Sequence, residues 1–305
     1  MTDLNSNPKI LVLYHYFEKD QSYIDNFSHF FCFGYKPYLN YVVVVAGSYT
    51  VDLPKASNIE YLFTISENFD YGGYATAINT LELKDCYDYY IFVNSSMRGP
   101  FLSPYTENSW VHILLNLFNI TVGVVGTAIS LTPSHHAIAK LYHAKWGKNR
   151  INENILSHVQ TTCYALSKVS LRYLVSSGFY EITRTLTKDE TVSDYEIRQS
   201  QMLLSHGLNL KCILPEYNQY DYRTLTYDIN SNSREGDSGF DKSYFGRTVH
   251  PYESTFIKTS RNNFSDNYLK KLAYSMSVST AFEQTLDKFL ITKEYHLSCN
   301  NLFGK

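Results

Sequence analysis

The chain has 305 residues, 44% of them hydrophobic and only 18% charged, with a formal net charge of −2. That is enough apolar material for a large core, and too little positive charge for a protein that grips nucleic acid by bulk electrostatics. No run of 18 apolar residues predicts a membrane span, and the polar stretch Met1 to Pro8 lacks the apolar centre of a signal peptide.

The first half reads as alternating strands and helices. Residues 10–16 form a short apolar run, followed by a helical pattern over 22–33 with aromatics on one face. Residues 41–46, YVVVVA, form an unbroken β-branched run of the kind buried on both faces of a parallel sheet. Strands are predicted at 59–65, 89–93 and 122–125, with a helix at 74–83. This alternation predicts an α/β fold, a mainly parallel Rossmann-like sheet flanked by helices.

The second half is less regular. Helices are predicted over 165–175 and 195–205, a strand over 210–214, and C-terminal helices over 267–289. Residues 228–241 are rich in Ser, Asn, Gly and charge, which predicts an exposed loop. No linker or repeat divides the chain, so a single domain is expected. It has a nucleotide half at about 9–130, an acceptor half at about 131–265, and C-terminal helices at about 266–305. The five cysteines, Cys32, Cys86, Cys163, Cys212 and Cys299, are widely spaced and odd in number. They predict reduced, mostly buried thiols in a soluble cytoplasmic protein rather than a zinc site or disulfide framework.

In open parallel sheets, ligands bind beyond the carboxyl ends of the strands. Two such segments carry chemistry. Ser66 to Tyr74 places Asp70, Gly72 and Gly73 between a strand and a helix, where the backbone approaches closely and a helix N-terminus faces an anion. The spacing is not GxGxxG, so a dehydrogenase-type dinucleotide site is not indicated. Asn94-Ser95-Ser96, then Arg98, closes the next strand with small polar groups and a guanidinium able to fork phosphate oxygens. Further along, His250, Lys258 and Arg261 form a positive cluster.

The segments Glu67 to Asn79 and Tyr87 to Phe101 resemble the donor half of GT-A glycosyltransferases of the family-2-like and rhamnan-synthesis type. Residues 195–200 and 249–261 resemble a less characterised branch of the same proteins. The resemblance implies a nucleotide-sugar donor, a glycan or other hydroxyl acceptor, and a place in glycan biosynthesis. It also implies an acidic pair holding Mg²⁺ or Mn²⁺, but that position here reads Asn94-Ser95-Ser96, which predicts weak metal binding. Arg98, His250, Lys258 and Arg261 are then expected to neutralise the diphosphate.

An inverting transfer needs a carboxylate base, which the resemblance places near the start of a helix ending in glycine. Glu196 precedes Gly207 by 11 residues and is the expected base, with Asp194, Glu190 and Asp189 as neighbouring alternatives. Carboxylates at a helix N-terminus are also stabilised by the macrodipole alone. The histidines His135, His136, His143 and His158 lack a zinc-binding pattern, and His158 stands where an acceptor side is expected. The alternative function is a non-catalytic nucleotide-sugar or glycan-binding module with a degenerate GT-A site. A methyltransferase on a similar sheet lacks a glycine-rich loop after the first strand.

Overall fold

The computed structural model describes residues 8–147 and 154–277. The elements in chain order are β1 (Ile10–Tyr16), α1 (Gln21–Phe33), β2 (Asn40–Ala46), β3 (Ile59–Thr64), α2 (Phe69–Thr80), β4 (Tyr89–Asn94), β5 (Met97–Arg98) and α3 (Trp110–Leu115). There follow β6 (Val122–Gly126), β7 (Ile129–Pro133), α4 (Ala137–Trp146), β8 (Ile155–Val159), β9 (Cys163–Ser167), α5 (Lys168–Ser176) and α6 (Lys188–Thr191). A π-helical turn (Val192–Ile197) leads into α7 (Arg198–Ser205), then β10 (Asn209–Cys212), α8 (Pro251–Ser254), β11 (Ile257–Lys258) and α9 (Asp266–Ser277).

Seven strands form the central sheet in the order β10-β6-β9-β4-β1-β2-β3. Its neighbours are parallel except around β9, which runs antiparallel to both β4 and β6. The period-2 alternation of β1 explains why both faces are covered. Leu11 and Leu13 pack with Tyr71 and Tyr74 of α2 and with Leu171 of α5. Ile10, Val12, Tyr14 and Tyr16 face the other way, against Phe27, Phe30 and Phe31 of α1, Trp110 of α3 and Leu269 of α9. A strand buried on both faces has no use for polar residues, hence YVVVVA in β2.

Several expectations are revised. The helix expected from Tyr74 starts at Phe69, so Gly72 and Gly73 lie inside α2 rather than in a loop before it. The helix expected from Ala165 is preceded by β9, whose Ala165 and Leu166 pair with Ile91 and Tyr90 of β4. A buried apolar run is ambiguous between strand and helix, and pairing decides it. The 228–241 segment has no strand or helix, yet Asn230 and Ser238 are buried, so it packs on the body of the protein rather than projecting from it. Cys32 is disulfide-bonded, against the expectation of reduced thiols, while Cys86, Cys163 and Cys212 are free. Sequence spacing cannot show which distant cysteines meet. Of the expected C-terminal helices, α9 is described and the remainder lies outside the described residues. Among the described residues no helix is long and apolar enough to cross a membrane.

Candidate active site

Strand order reverses at β1, which has β2 on one side and β4 on the other. His15 of β1 and Asn94 of β4 stand in register at the carboxyl ends of these strands. This is the crevice where open α/β sheets bind ligands.

The Asn94-Ser95-Ser96 turn is held on every side. Ser95 Oγ accepts from Phe17 N and donates to Phe17 O, both at 3.1 Å. Asn94 Oδ1 accepts from Ser96 N and Ser96 Oγ, which folds the turn back on itself. Asn94 Nδ2 donates to Asp70 Oδ2 at 2.8 Å, joining β4 to the first turn of α2. Partial burial raises the Asp70 carboxyl above its usual range, the Asn94 bond opposes that rise, and the nearby charge of Glu196 adds to it.

The two glycines serve packing. A Cβ on Gly73 would stand 2.3 Å from the His15 ring and 3.0 Å from Val44, and one on Gly72 would stand 2.1 Å from the Glu67 carbonyl oxygen. The missing side chain of Gly73 lets α2 lie directly on β1 and β2, and that of Gly72 lets the chain turn tightly into α2.

Glu196 arrives from the second half of the chain, on the π turn before α7. Extra residues of this kind inside a helix are frequent at functional sites because they re-aim side chains. Its carboxylate is 24% exposed and stands 3.5 Å from His158 Nε2 through Oε1. Oε2 accepts from Thr161 Oγ1 at 3.1 Å. Burial pushes the Glu196 carboxyl up, but His158, Lys258 and Thr161 together hold it below the usual carboxylate range. Asp194, two residues away, has a different task. It is buried, receives Lys145 Nζ at 3.0 Å, Arg184 Nη2 at 3.2 Å and Trp146 Nε1 at 3.2 Å, and so ties the π turn to α4. Glu190 joins the same network through Lys145 and Arg184.

Lys258 lies on β11, which pairs antiparallel with β5 and so folds the 257–261 segment over the Asn94 turn. Thr259 N donates to Ser96 O at 3.3 Å. Lys258 and Arg261 line one cavity of about 50 Å³ with Gln160, Gly239 and Ser254. Arg261 pairs with Asp237 and stacks over Phe240. Asp237 also accepts from Gln160 Nε2 at 2.6 Å, which fastens the 237–239 loop to the β8–β9 turn.

The structure thus brings Asp70, Asn94, Ser96, Glu196 and Lys258 to one region, with Arg261 beside it. It does not bring Arg98 or His250 there. Arg98 is buried in the other layer, bonded to Asn26 of α1 at 2.8 Å and to Asp266 of α9 at 2.5 Å. His250 caps α8 by accepting from Tyr252 N at 3.2 Å, and its Nε2 meets Tyr268 Oη at 2.9 Å. Thr161, which the sequence reading missed, and His158, which it left unassigned, come from the turn after β8 and from β8 itself. The signal available was the short polar run Gln160 to Thr162 between two largely apolar stretches.

A metal clamp does not fit this donor set. Asp70 is a single carboxylate already receiving the Asn94 amide, and the Asn94 oxygen is used by Ser96. Hard cations of the Mg²⁺ and Mn²⁺ class favour several oxygen ligands, carboxylates first. Among the described residues no three His, Cys, Asp or Glu side chains group as a metal site.

No protein-family profile matches the chain, and no curated protein matches it. Among solved structures it is similar to the apo form of WbbM, a bifunctional glycosyltransferase, at 11% identity and a TM-score of 0.41, covering 94% of this chain and 52% of that one. The chain therefore spans about half of WbbM. It is similar to the mannosyltransferase PcManGT from Pyrobaculum calidifontis, solved with GDP-Man and Mn²⁺, at 9% identity and a TM-score of 0.40, covering 98% and 85% of the two chains. A third is a glycosyltransferase involved in glycosylation of the major capsid of PBCV-1, at 12% identity and a TM-score of 0.31, covering 62% and 76%.

Proposed function

We propose that the chain is a glycosyltransferase that moves a sugar from a nucleotide-sugar donor to a hydroxyl acceptor, with Glu196 as base and inversion at the anomeric carbon. The observation that carries this reading is the convergence of Glu196, from the second half of the chain, with Asp70 and Lys258 at the carboxyl edge of β1 and β4. The donor lies along the β1–β4 crevice, with Asp70 and the Asn94–Ser96 turn on its floor. Lys258 and Arg261 supply positive charge to the diphosphate as it leaves, a task that metal-dependent transferases give to a cation. Glu196 is the ionised carboxylate of the site, suited to taking a proton from an acceptor hydroxyl.

The test is release of nucleoside diphosphate from a panel of nucleotide-sugars, paired with thermal shift for each donor. Stabilisation plus turnover, lost in Glu196→Gln, supports the transferase. The Asn94-Ser95-Ser96 turn, which lacks the acidic pair, favours a second reading as a nucleotide-sugar or glycan-binding module. Stabilisation by a donor with no turnover across all acceptors supplied would establish that module instead.

A further inference from the structure

His158 is 3% exposed on β8. Its Nδ1 lies 3.1 Å from the Leu156 carbonyl oxygen. A carbonyl oxygen only accepts, so Nδ1 carries a proton, and Nε2 is the atom whose protonation varies. Nε2 in turn stands 3.5 Å from Glu196 Oε1. A bare nitrogen lone pair facing a carboxylate oxygen is repulsive, whereas a proton on Nε2 makes the contact an attractive ion pair. The geometry therefore favours imidazolium against carboxylate. The groups facing the pair from neighbouring elements are Lys258 of β11, Asp70 and Tyr71 of α2, and Thr161 of the β8–β9 turn. Lys258 and Thr161 favour the ionised carboxylate, while Asp70 opposes it.

We propose that His158 is a positioning residue for Glu196: it holds one proton between Nε2 and Oε1, keeps the carboxylate ionised, and leaves Oε2 as the oxygen that takes the acceptor's proton. The proposal rests on the transferase reading above. In the step it serves, an acceptor oxygen lone pair forms the bond to the anomeric carbon. The bond from that carbon to the diphosphate oxygen breaks, and its electron pair leaves with the nucleoside diphosphate. The hydroxyl proton passes to Oε2, which also accepts from Thr161 Oγ1.

The first test needs no turnover. The His158 Nε2–H signal is read by NMR at one fixed pH in the wild-type protein and in Glu196→Ala. We expect a protected, downfield N–H signal in the wild type, as a charge-assisted contact with the carboxylate gives, and its loss in the variant. The same signal in both proteins overturns the proposal. The second test is kinetic. His158→Gln keeps an N–H group toward Oε1 but loses the charge. It is expected to lower kcat by about tenfold or more with donor KM nearly unchanged, and to move the acid limb of the rate profile upward, because the carboxylate loses the partner that holds its proton affinity down. A lowered melting temperature with an unmoved acid limb and unchanged kcat marks a merely structural histidine and overturns it. Full turnover in Glu196→Gln, with the wild-type N–H signal as expected, overturns instead the base assignment beneath the proposal.

Discussion

Asn94 Nδ2 donates to Asp70 Oδ2 at 2.8 Å, an amide where a second carboxylate would complete an acidic pair. The bond does two things at once. It fixes the end of β4 against the first turn of α2, and it occupies the carboxylate oxygen that a cation would otherwise take. Two carboxylates at this separation could not both ionise without a cation between them, whereas an amide and a carboxylate are stable alone.

That relationship predicts the behaviour of Asn94→Asp. The variant places two carboxylates together, so its melting temperature should fall below that of the wild type in chelator. Mn²⁺ should then raise it, by linkage, in the variant and far less in the wild type. Wild-type turnover is expected to survive chelation. Complete loss in chelator with recovery in Mn²⁺ would mean that the cation has ligands other than this turn.

Glu196 and Asp194 should separate cleanly. Glu196→Gln keeps the shape of the side chain and cannot take the acceptor proton, so turnover should fall by a factor of about 10²–10⁴ with donor binding retained. Asp194→Ala removes the shared partner of Lys145, Arg184 and Trp146. Both cations are partly exposed, which screens the loss, so the expected cost is about 1–3 kcal/mol of stability rather than the larger penalty of a dry ion pair. Folded Asp194→Ala should retain turnover within about threefold. Loss of turnover in Asp194→Ala with full turnover in Glu196→Gln would exchange the two roles.

The first half of the fold was legible because β1, β2, β4 and β6 are largely apolar runs, and β1 was read to its last residue. The second half was harder for identifiable reasons. β9 and α5 abut with no breaker between Ser167 and Lys168, so one apolar stretch looked like a single helix. The π turn carrying Glu196 has no sequence signature, and the acidic residues of α6 and the π turn are told apart only by the ion pairs that Lys145 and Arg184 make with Asp194 and Glu190. Arg98 looked like a phosphate ligand because nothing local shows its partners. They are Asn26 and Asp266, the latter 168 positions away.

Gly73 is a test of packing. Alanine is the better helix former by about 1 kcal/mol, so a free position would gain stability from Gly73→Ala. Here the added methyl meets the His15 ring and Val44, both buried. We expect a net loss of about 1–3 kcal/mol, read as a lower denaturant midpoint with an unchanged slope. An increase in stability would mean that α2 shifts off β1 at little cost.

The last prediction concerns two histidines that are kept neutral. His15 is 5% exposed at the end of β1, and burial lowers its pKa to about 4. His29 is 3% exposed on α1, where burial and then the charge of Arg98 lower its pKa to about 3, against a weaker upward pull from its contact with the Pro100 carbonyl oxygen. In the unfolded chain both titrate near the ordinary value of about 6.5. Between there and their folded values the unfolded state binds protons that the folded state does not. Stability is therefore full above about pH 6.5 and falls as the pH drops toward 4, by about 1.4 kcal/mol per pH unit for each histidine. Melting temperatures at pH 7, 5.5 and 4.5 should decline accordingly. Replacing His29 with Gln should flatten the decline by the share of one group, because Gln can still donate to the Pro100 carbonyl oxygen and does not titrate. An equal decline in the variant would mean that His29 takes up no extra proton on unfolding, and that the loss over this range arises from other groups.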